Sequence, residues 1–349
     1  MVASLKAATW EILARLYYSS GLPLIRHRGR VAILTYHRVV SDGMVRMDHI
    51  QPGMYVRGQS FETHIAYLRK RFTIISLDEL LDLWQTSRLK RDQSYCVITF
   101  DDGWQDNYQF AFPVLAKYHV PATIFLATDF IGTTRWFWPD QMMFLLEQCR
   151  QHTTCAADRK AFSTVLAETV GVTLSAADGM FRRVETGAPV DPNVIIEFCK
   201  GVEVSSIHQI IDRLSRALHV ELPTHRVLLN WDEVREMAGK GVTFGSHSVS
   251  HRIMTQIPLS DVKMELIDSR KTMLEQGIKP VPVFCYPNGN FDRDIQELVR
   301  ESGYLAAVGC EVGLEPDRPN DLFALKRISV HEDRSASVPL LALTLSGLR

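Results

Sequence analysis

The chain has 349 residues, 46% hydrophobic and 23% charged, with 39 Lys and Arg against 40 Asp and Glu. That composition suits a globular protein with a large core. A formal charge of -1, with no long run of one sign, gives no footing for nucleic-acid binding. The six cysteines form no CxxC pair, and Cys96, Cys285 and Cys310 fall in predicted strands, so free thiols in a reducing compartment are expected.

No apolar stretch reaches the ~20 residues that span a bilayer. Lys6, Glu11 and Arg15 interrupt the N-terminal apolar residues with no small-residue cleavage site after them, so the start does not read as a signal peptide. Residues 1–30 read instead as a partly amphipathic helix followed by the basic segment Arg26-His27-Arg28-Gly29-Arg30. Such a helix either packs on the protein or makes a peripheral membrane contact on an anionic surface. The expected location is cytoplasmic, at the inner membrane surface if the second role holds.

Val31 to His37 reads as a buried strand ending in a histidine, followed by a loop over 41–58. A helix with Ser60 as its cap and Phe61, Ile65 and Leu68 as its stripe comes next, then a short strand over 72–76 and a helix over 78–88. Val97-Ile98-Thr99-Phe100 is a strand that stops in Asp101-Asp102-Gly103, and 122–127 is another. From 133 to 226 the pattern turns helical and charged, and reads as a helical insertion. Alternation then resumes with a helix from Trp231 capped by Asn230, a strand over 242–245, and a helix from Leu259 to Gly277 capped by Ser260. Strands at 281–286, 305–308 and 326–330 follow, with a helix over 292–302, and residues 333–349 read as a tail.

Repeated β-then-α units imply a parallel sheet with helices outside, and chemistry gathers at the C-terminal ends of such strands. His37, Asp101-Asp102, His247, Tyr286-Pro287-Asn288 and His331 all fall at those ends. On a strand, adjacent side chains point to opposite faces, so the two acids take different tasks only if the chain bends, which Gly103 allows. His247 and His251, four apart, have the spacing of one helical face, and with one carboxylate they make a His₂-carboxylate metal site with open positions. A metal lowers the pKa of water, and a second, unligated carboxylate can take its proton. By strand position His331 is the candidate general acid; an ordinary surface histidine before Glu332-Asp333 is the alternative.

Thr99-Phe100-Asp101-Asp102-Gly103 followed by His247-Ser248-Val249-Ser250-His251 resembles the polysaccharide deacetylases, carbohydrate esterase family 4, with their NodB-homology domain. Tyr36-His37, Phe61-Glu62 and Ile75 to Glu79 are similar to the exopolysaccharide-associated branch. The resemblance implies an α/β fold, a distorted (β/α) barrel of about seven strands over 31–332, carrying the helical insertion. It implies Asp101 as catalytic base, Asp102, His247 and His251 as ligands of a divalent metal, commonly Zn²⁺, His331 as general acid, and the Asn288 backbone N–H as oxyanion donor. Tyr286, Pro287 and Gly289 line the groove in this reading, while His37 contacts substrate or braces the site. Trp104, Trp136 and Trp138 are candidates for stacking on sugars, the last two alternatively anchoring the insertion. Many members carry an arginine two residues before the groove proline; here that place is Cys285, and Arg327 is the candidate to supply the missing charge. No aspartate-tryptophan motif supporting the acid histidine is evident.

The expected activity is metal-dependent removal of N-acetyl groups from N-acetylated amino sugars of a bacterial polysaccharide or its precursor. A deacylase of a lipid-linked sugar or other small amide, and a catalytically silent glycan-binding protein, are the rival readings.

Overall fold

The runs Val31–Tyr36 and Tyr95–Phe100 are buried at every position, as parallel strands covered on both faces must be. The computed structural model describes residues 2–47, 50–152, 164, 165, 168 and 192–347. In chain order its strands are β1 (Val31–Tyr36), β2 (Arg38–Val40), β3 (Tyr55–Arg57), β4 (Thr73–Ile74), β5 (Tyr95–Phe100), β6 (Ala122–Leu126), β7 (Val242–Ser246), β8 (Val283–Cys285), β9 (Ala306–Val308) and β10 (Ile328–Ser329). Seven run parallel in the order β10-β1-β5-β6-β7-β8-β9, curled into a distorted half-barrel, with β4 beside the start of β5. The (β/α) architecture read from the alternation is therefore the one observed. β2 and β3 form a separate parallel pair. Before it enters β10, the chain accepts from β9, Ala307 N–H reaching Leu322 O at 2.8 Å.

The helices are α1 (Val2–Ser19), α2 (Leu22–Arg26), α3 (Asp42–Met47), α4 (Gly58–Arg71), α5 (Leu77–Gln85), α6 (Phe112–Tyr118), α7 (Trp138–His152), α8 (Pro192–Cys199), α9 (Val204–Leu218), α10 (Trp231–Ala238), α11 (Leu259–Glu275), α12 (Arg293–Glu301), α13 (Glu332–Ser335) and α14 (Val338–Leu345). Asn230 caps α10 with a full capping box to Glu233. Ser60 does not cap α4: the helix starts two residues earlier, and the Ser60 hydroxyl donates instead to the Glu332 carboxylate. Ser260 lies inside α11, whose cap position is Pro258. Residues 333–349 are no trailing tail, since α14 buries Leu341, Leu343 and Leu345 and packs on α1.

The chain divides into two compact units. One, residues 1–41, 53–133 and 226–349, holds the seven-stranded sheet; the other is residues 42–52 and 134–225. The second unit has its own apolar core, in which Leu145 of α7 and Ile195 of α8 meet Ile207, Ile211 and Leu214 of α9. Residues 153–163, 166, 167 and 169–191 of the expected insertion, Cys155 among them, lie outside the described residues.

Strand alternation sorts the sheet residues into two apolar layers. Val31, Ile33, Val97, Val283, Cys285 and Val308 share one cluster, plugged by Leu80, Leu81 and Trp84 of α5. Phe284, Tyr286 and Ala307 face the other way, under Val262 and Leu266 of α11 and Ile295 and Val299 of α12. The first layer, continued past the strand ends, is where the site forms.

Candidate active site

Asp101 continues the β5 ladder by donating its N–H to Tyr36 O at 3.0 Å, so its carboxylate falls on the same side as Val97 and Thr99. There Arg327 meets it twice, Nη1 to Oδ1 and Nη2 to Oδ2, both at 2.7 Å. The guanidinium is buried, donates Nε–H to Gly309 O at 2.9 Å and lies 3.3 Å from Cys285 Sγ. Burial alone would raise the Asp101 pKa; the Arg327 charge outweighs it and holds the carboxyl at about 2. The charge that the groove motif lacks at Cys285 thus arrives from Arg327, the residue just before β10.

Alternation would send Asp102 to the opposite face. It does not go there, because the chain turns at Asp102 itself, with φ 75, and again at Gly103, with φ 81. The turn places Asp102 Oδ1 at 3.4 Å from His247 Nε2 and 3.2 Å from His251 Nε2. Trp104 Nε1–H holds the other oxygen at 2.9 Å. Burial would again raise this pKa, but the two imidazoles outweigh it and hold Asp102 well below the usual range.

The histidines converge without a helix. Residues 247–251 are an irregular loop, with Ser248 at φ 69 and His251 at φ 57. A loop, and not the expected helical face, brings the two rings together. The loop is shaped by Glu265 of α11, which accepts Val249 N–H at 2.7 Å and Ser250 N–H at 2.9 Å, and by Ser248 Oγ, which accepts His251 N–H at 2.9 Å. His247 Nδ1 sits 2.8 Å from Cys285 O, a contact only N–H can make, which leaves Nε2, facing Asp102, as the nitrogen that would hold a cation.

Asp102, His247 and His251 offer ligand atoms all within 4.8 Å of one another, and two imidazole nitrogens with one carboxylate suit a divalent transition metal. Asp101, His247 and Cys285 also lie within that distance, but Arg327 occupies both Asp101 oxygens and burial pushes the Cys285 thiol pKa up. The first trio is the one that fits a cation.

His37 stands beside these acids: burial pushes its imidazole pKa down against the pull of Asp102 and Asp101. Asn288 turns the groove segment with φ 58, and Gly289 N–H closes that turn on Tyr286 O at 2.8 Å. Gly289 is required, since a Cβ there would lie 2.9 Å from Cys310 N, at φ 75. Pro287 is buried in this turn.

Four expectations are corrected. Tyr286 is fully buried with its hydroxyl on Phe323 O at 3.1 Å, because alternation turns it away from Cys285; it does not line the groove. Trp104 is buried, orienting Asp102 under the Arg38 guanidinium, and has no face for a sugar. Trp136 and Trp138 belong to the second unit, Trp136 donating to His225 O and Trp138 packing against its core, so they anchor rather than stack. Cys310 lies past β9 and is exposed.

His331 follows β10 with Nδ1 3.6 Å from Asp333 Oδ2; no described contact ties it to the Asp–His cluster. Glu265, Asp106 and Arg38 carried no motif. Asp106 is buried, pairs with Arg38 at 2.7 Å and accepts Val39 N–H at 2.9 Å, bracing β2. An arginine in an apolar run was the one available clue.

The model of the polysaccharide deacetylase family matches residues 88–155 and 208–307, which include both motifs. The chain carries a polysaccharide deacetylase domain. It is 21% identical over 308 residues to YxkH of Bacillus subtilis (strain 168), a protein assigned to the polysaccharide deacetylases, covering 88% of this chain and 74% of that one. Over 80 residues it is 38% identical to the poly-beta-1,6-N-acetyl-D-glucosamine N-deacetylase of Staphylococcus epidermidis, covering 23% of this chain and 27% of that one. The solved Streptococcus pyogenes deacetylase PplD, in complex with acetate, shares the fold at TM-score 0.56 and 16% identity, covering 90% of this chain and 98% of that one. The enzyme class of the matched family is that of hydrolases acting on carbon–nitrogen bonds.

Proposed function

We propose that the protein is a metal-dependent N-deacetylase of an N-acetylated amino-sugar glycan, with Zn²⁺ held by Asp102, His247 and His251. The observation that carries this reading is one buried carboxylate between two imidazoles, with a second, unligated carboxylate next to it in the chain. When bound, the cation supplies a lowered water pKa and a polarised acetamide carbonyl. Asp101 accepts the proton that water loses. A carboxylate has about four lone-pair sites, and Arg327 fills two, keeping the base ionised and aimed without blocking it. The Asn288 N–H donates to the oxyanion, and His331, set by Asp333, protonates the leaving nitrogen. One C–O bond forms, one C–N bond breaks, and acetate and a free amine leave. His37 braces the acids from the end of β1.

The similarity to the S. epidermidis enzyme supports poly-N-acetylglucosamine as the first substrate to try, and an exopolysaccharide setting. The test is acetate release from N-acetylglucosamine oligomers by chelated enzyme, before and after Zn²⁺ is added back. Release only with metal supports the reading. Metal bound with no release from oligomers, but release from a lipid-linked monosaccharide, moves the substrate; no bound metal overturns the mechanism.

A further inference from the structure

The first helices expose what a globular protein usually hides. On α1, Ala14 is fully buried, while Ile12, Leu13 and Leu16 on the opposite arc are 60%, 47% and 65% exposed. α2 repeats the pattern: Pro23 is buried, and Leu22, Leu24 and Ile25 are 52%, 54% and 73% exposed. Six of the thirteen large hydrophobics left exposed among the described residues thus fall within fourteen consecutive positions. Single exposed leucines need no explanation, but an outward apolar row on two successive helices does.

Charge says what covers it. Between Ile12 and Ser41 the sequence has Arg15, Arg26, Arg28, Arg30 and Arg38 and no acidic residue, in a chain whose charges otherwise balance. Arg38 is spent on the buried Asp106. Arg15 is exposed and pairs with Glu11 at 3.3 Å, while Arg28 and Arg30 are exposed just past α2. An outward apolar row followed by exposed arginines, with the Glu11–Arg15 ion pair beside it, matches the acyl and headgroup layers of an anionic bilayer. No helix among the described residues is long and apolar enough to cross a membrane, so the contact lies in the surface plane. We propose that α1 and α2 are an interfacial anchor that seats the protein on an anionic lipid surface. It deepens the expectation of a peripheral membrane contact and stands independently of the deacetylase reading.

The full chain is mixed with phosphatidylcholine vesicles with and without phosphatidylglycerol, and bound protein is measured by co-sedimentation at low and high salt. Binding to the phosphatidylglycerol vesicles is expected, falling with salt. Replacing Arg28 or Arg30 by Gln should weaken it roughly fivefold each, and the double variant Leu16→Glu/Ile25→Glu should abolish it. All these side chains are exposed, so unfolding curves should match the parent. Wild-type protein staying in the supernatant with both vesicles overturns the proposal. So does a solution dimer that Leu16→Glu/Ile25→Glu converts to monomer, since a second copy then covers the face.

Discussion

The ends of β5 and β10 meet the same barrel mouth but are held by different physics. At β5, Asp101 is fixed by a buried bidentate arginine and Asp102 by an indole N–H and two imidazoles. Every carboxylate oxygen there has a partner before any ligand arrives. Past β10, His331 has the Asp333 carboxylate at 3.6 Å, and its segment hangs on braces further along. Glu332 accepts Arg57 N–H and the Ser60 hydroxyl, Ser335 Oγ donates to His331 O, and the His64 ring donates Nε2–H to Ser335 O at 2.7 Å. One end is preorganised by paired charge in a dry interior. The other is positioned by a chain of hydrogen bonds through a titratable histidine. Preorganisation of the first kind is costly to break, and the second kind can be tuned.

The largest effect should come at β5. Asp101→Asn is expected to retain metal while losing about 10²–10⁴-fold in turnover, whereas His251→Ala loses both; metal analysis beside acetate release separates them. Full turnover in Asp101→Asn would remove the base from this mechanism. Arg327→Met should leave Asp101 buried and unpaired, costing about 3–5 kcal/mol in denaturant unfolding. Adding Cys285→Arg to that variant should recover part of the loss, because Cys285 Sγ already touches the guanidinium. No recovery would mean that only the β10 side can present the charge.

The β10 braces should respond to pH. Burial holds the His64 pKa at about 4, below its ordinary 6.5. As pH falls below 6.5 the unfolded chain takes up a proton that the folded chain refuses, so stability drops progressively to about pH 4, by on the order of 3 kcal/mol. Replacing His64 with Gln should flatten that part of the stability profile, and an unchanged slope would show that other groups carry it. The smallest effect is expected from Asp333→Asn. Removing the anion beside the proton donor should lower kcat a few-fold with KM unchanged, read from acetate release. A matching loss of stability in denaturant unfolding would make Asp333 merely structural.

Much of this was legible in the chain. Continuous apolar runs ending in His37, Asp101-Asp102 and His247 declare parallel strands with chemistry at one end, because buried strands have few ways to satisfy such residues except past the last ladder bond. The correct cap at Asn230 was readable since its partner Glu233 is three residues away. The misplaced caps at Ser60 and Ser260 have a different cause: in α4 a carboxylate 272 residues away claims the hydroxyl. Tyr286 and Trp104 are buried where the sequence points to a groove, because an aromatic near a site motif looks the same whether it faces a groove or a core.

The sequence by itself determined which residues carry charge and nitrogen, and that Gly103 permits a bend. Tertiary structure alone decided which face each took. Asp102 swings inward through its own positive φ, the His247–His251 loop closes on a glutamate from α11, and the arginine just before β10 fills the place left by Cys285. Those outcomes depend on side chains brought together across the barrel, and local spacing does not encode distances between strands that meet only when the sheet curls.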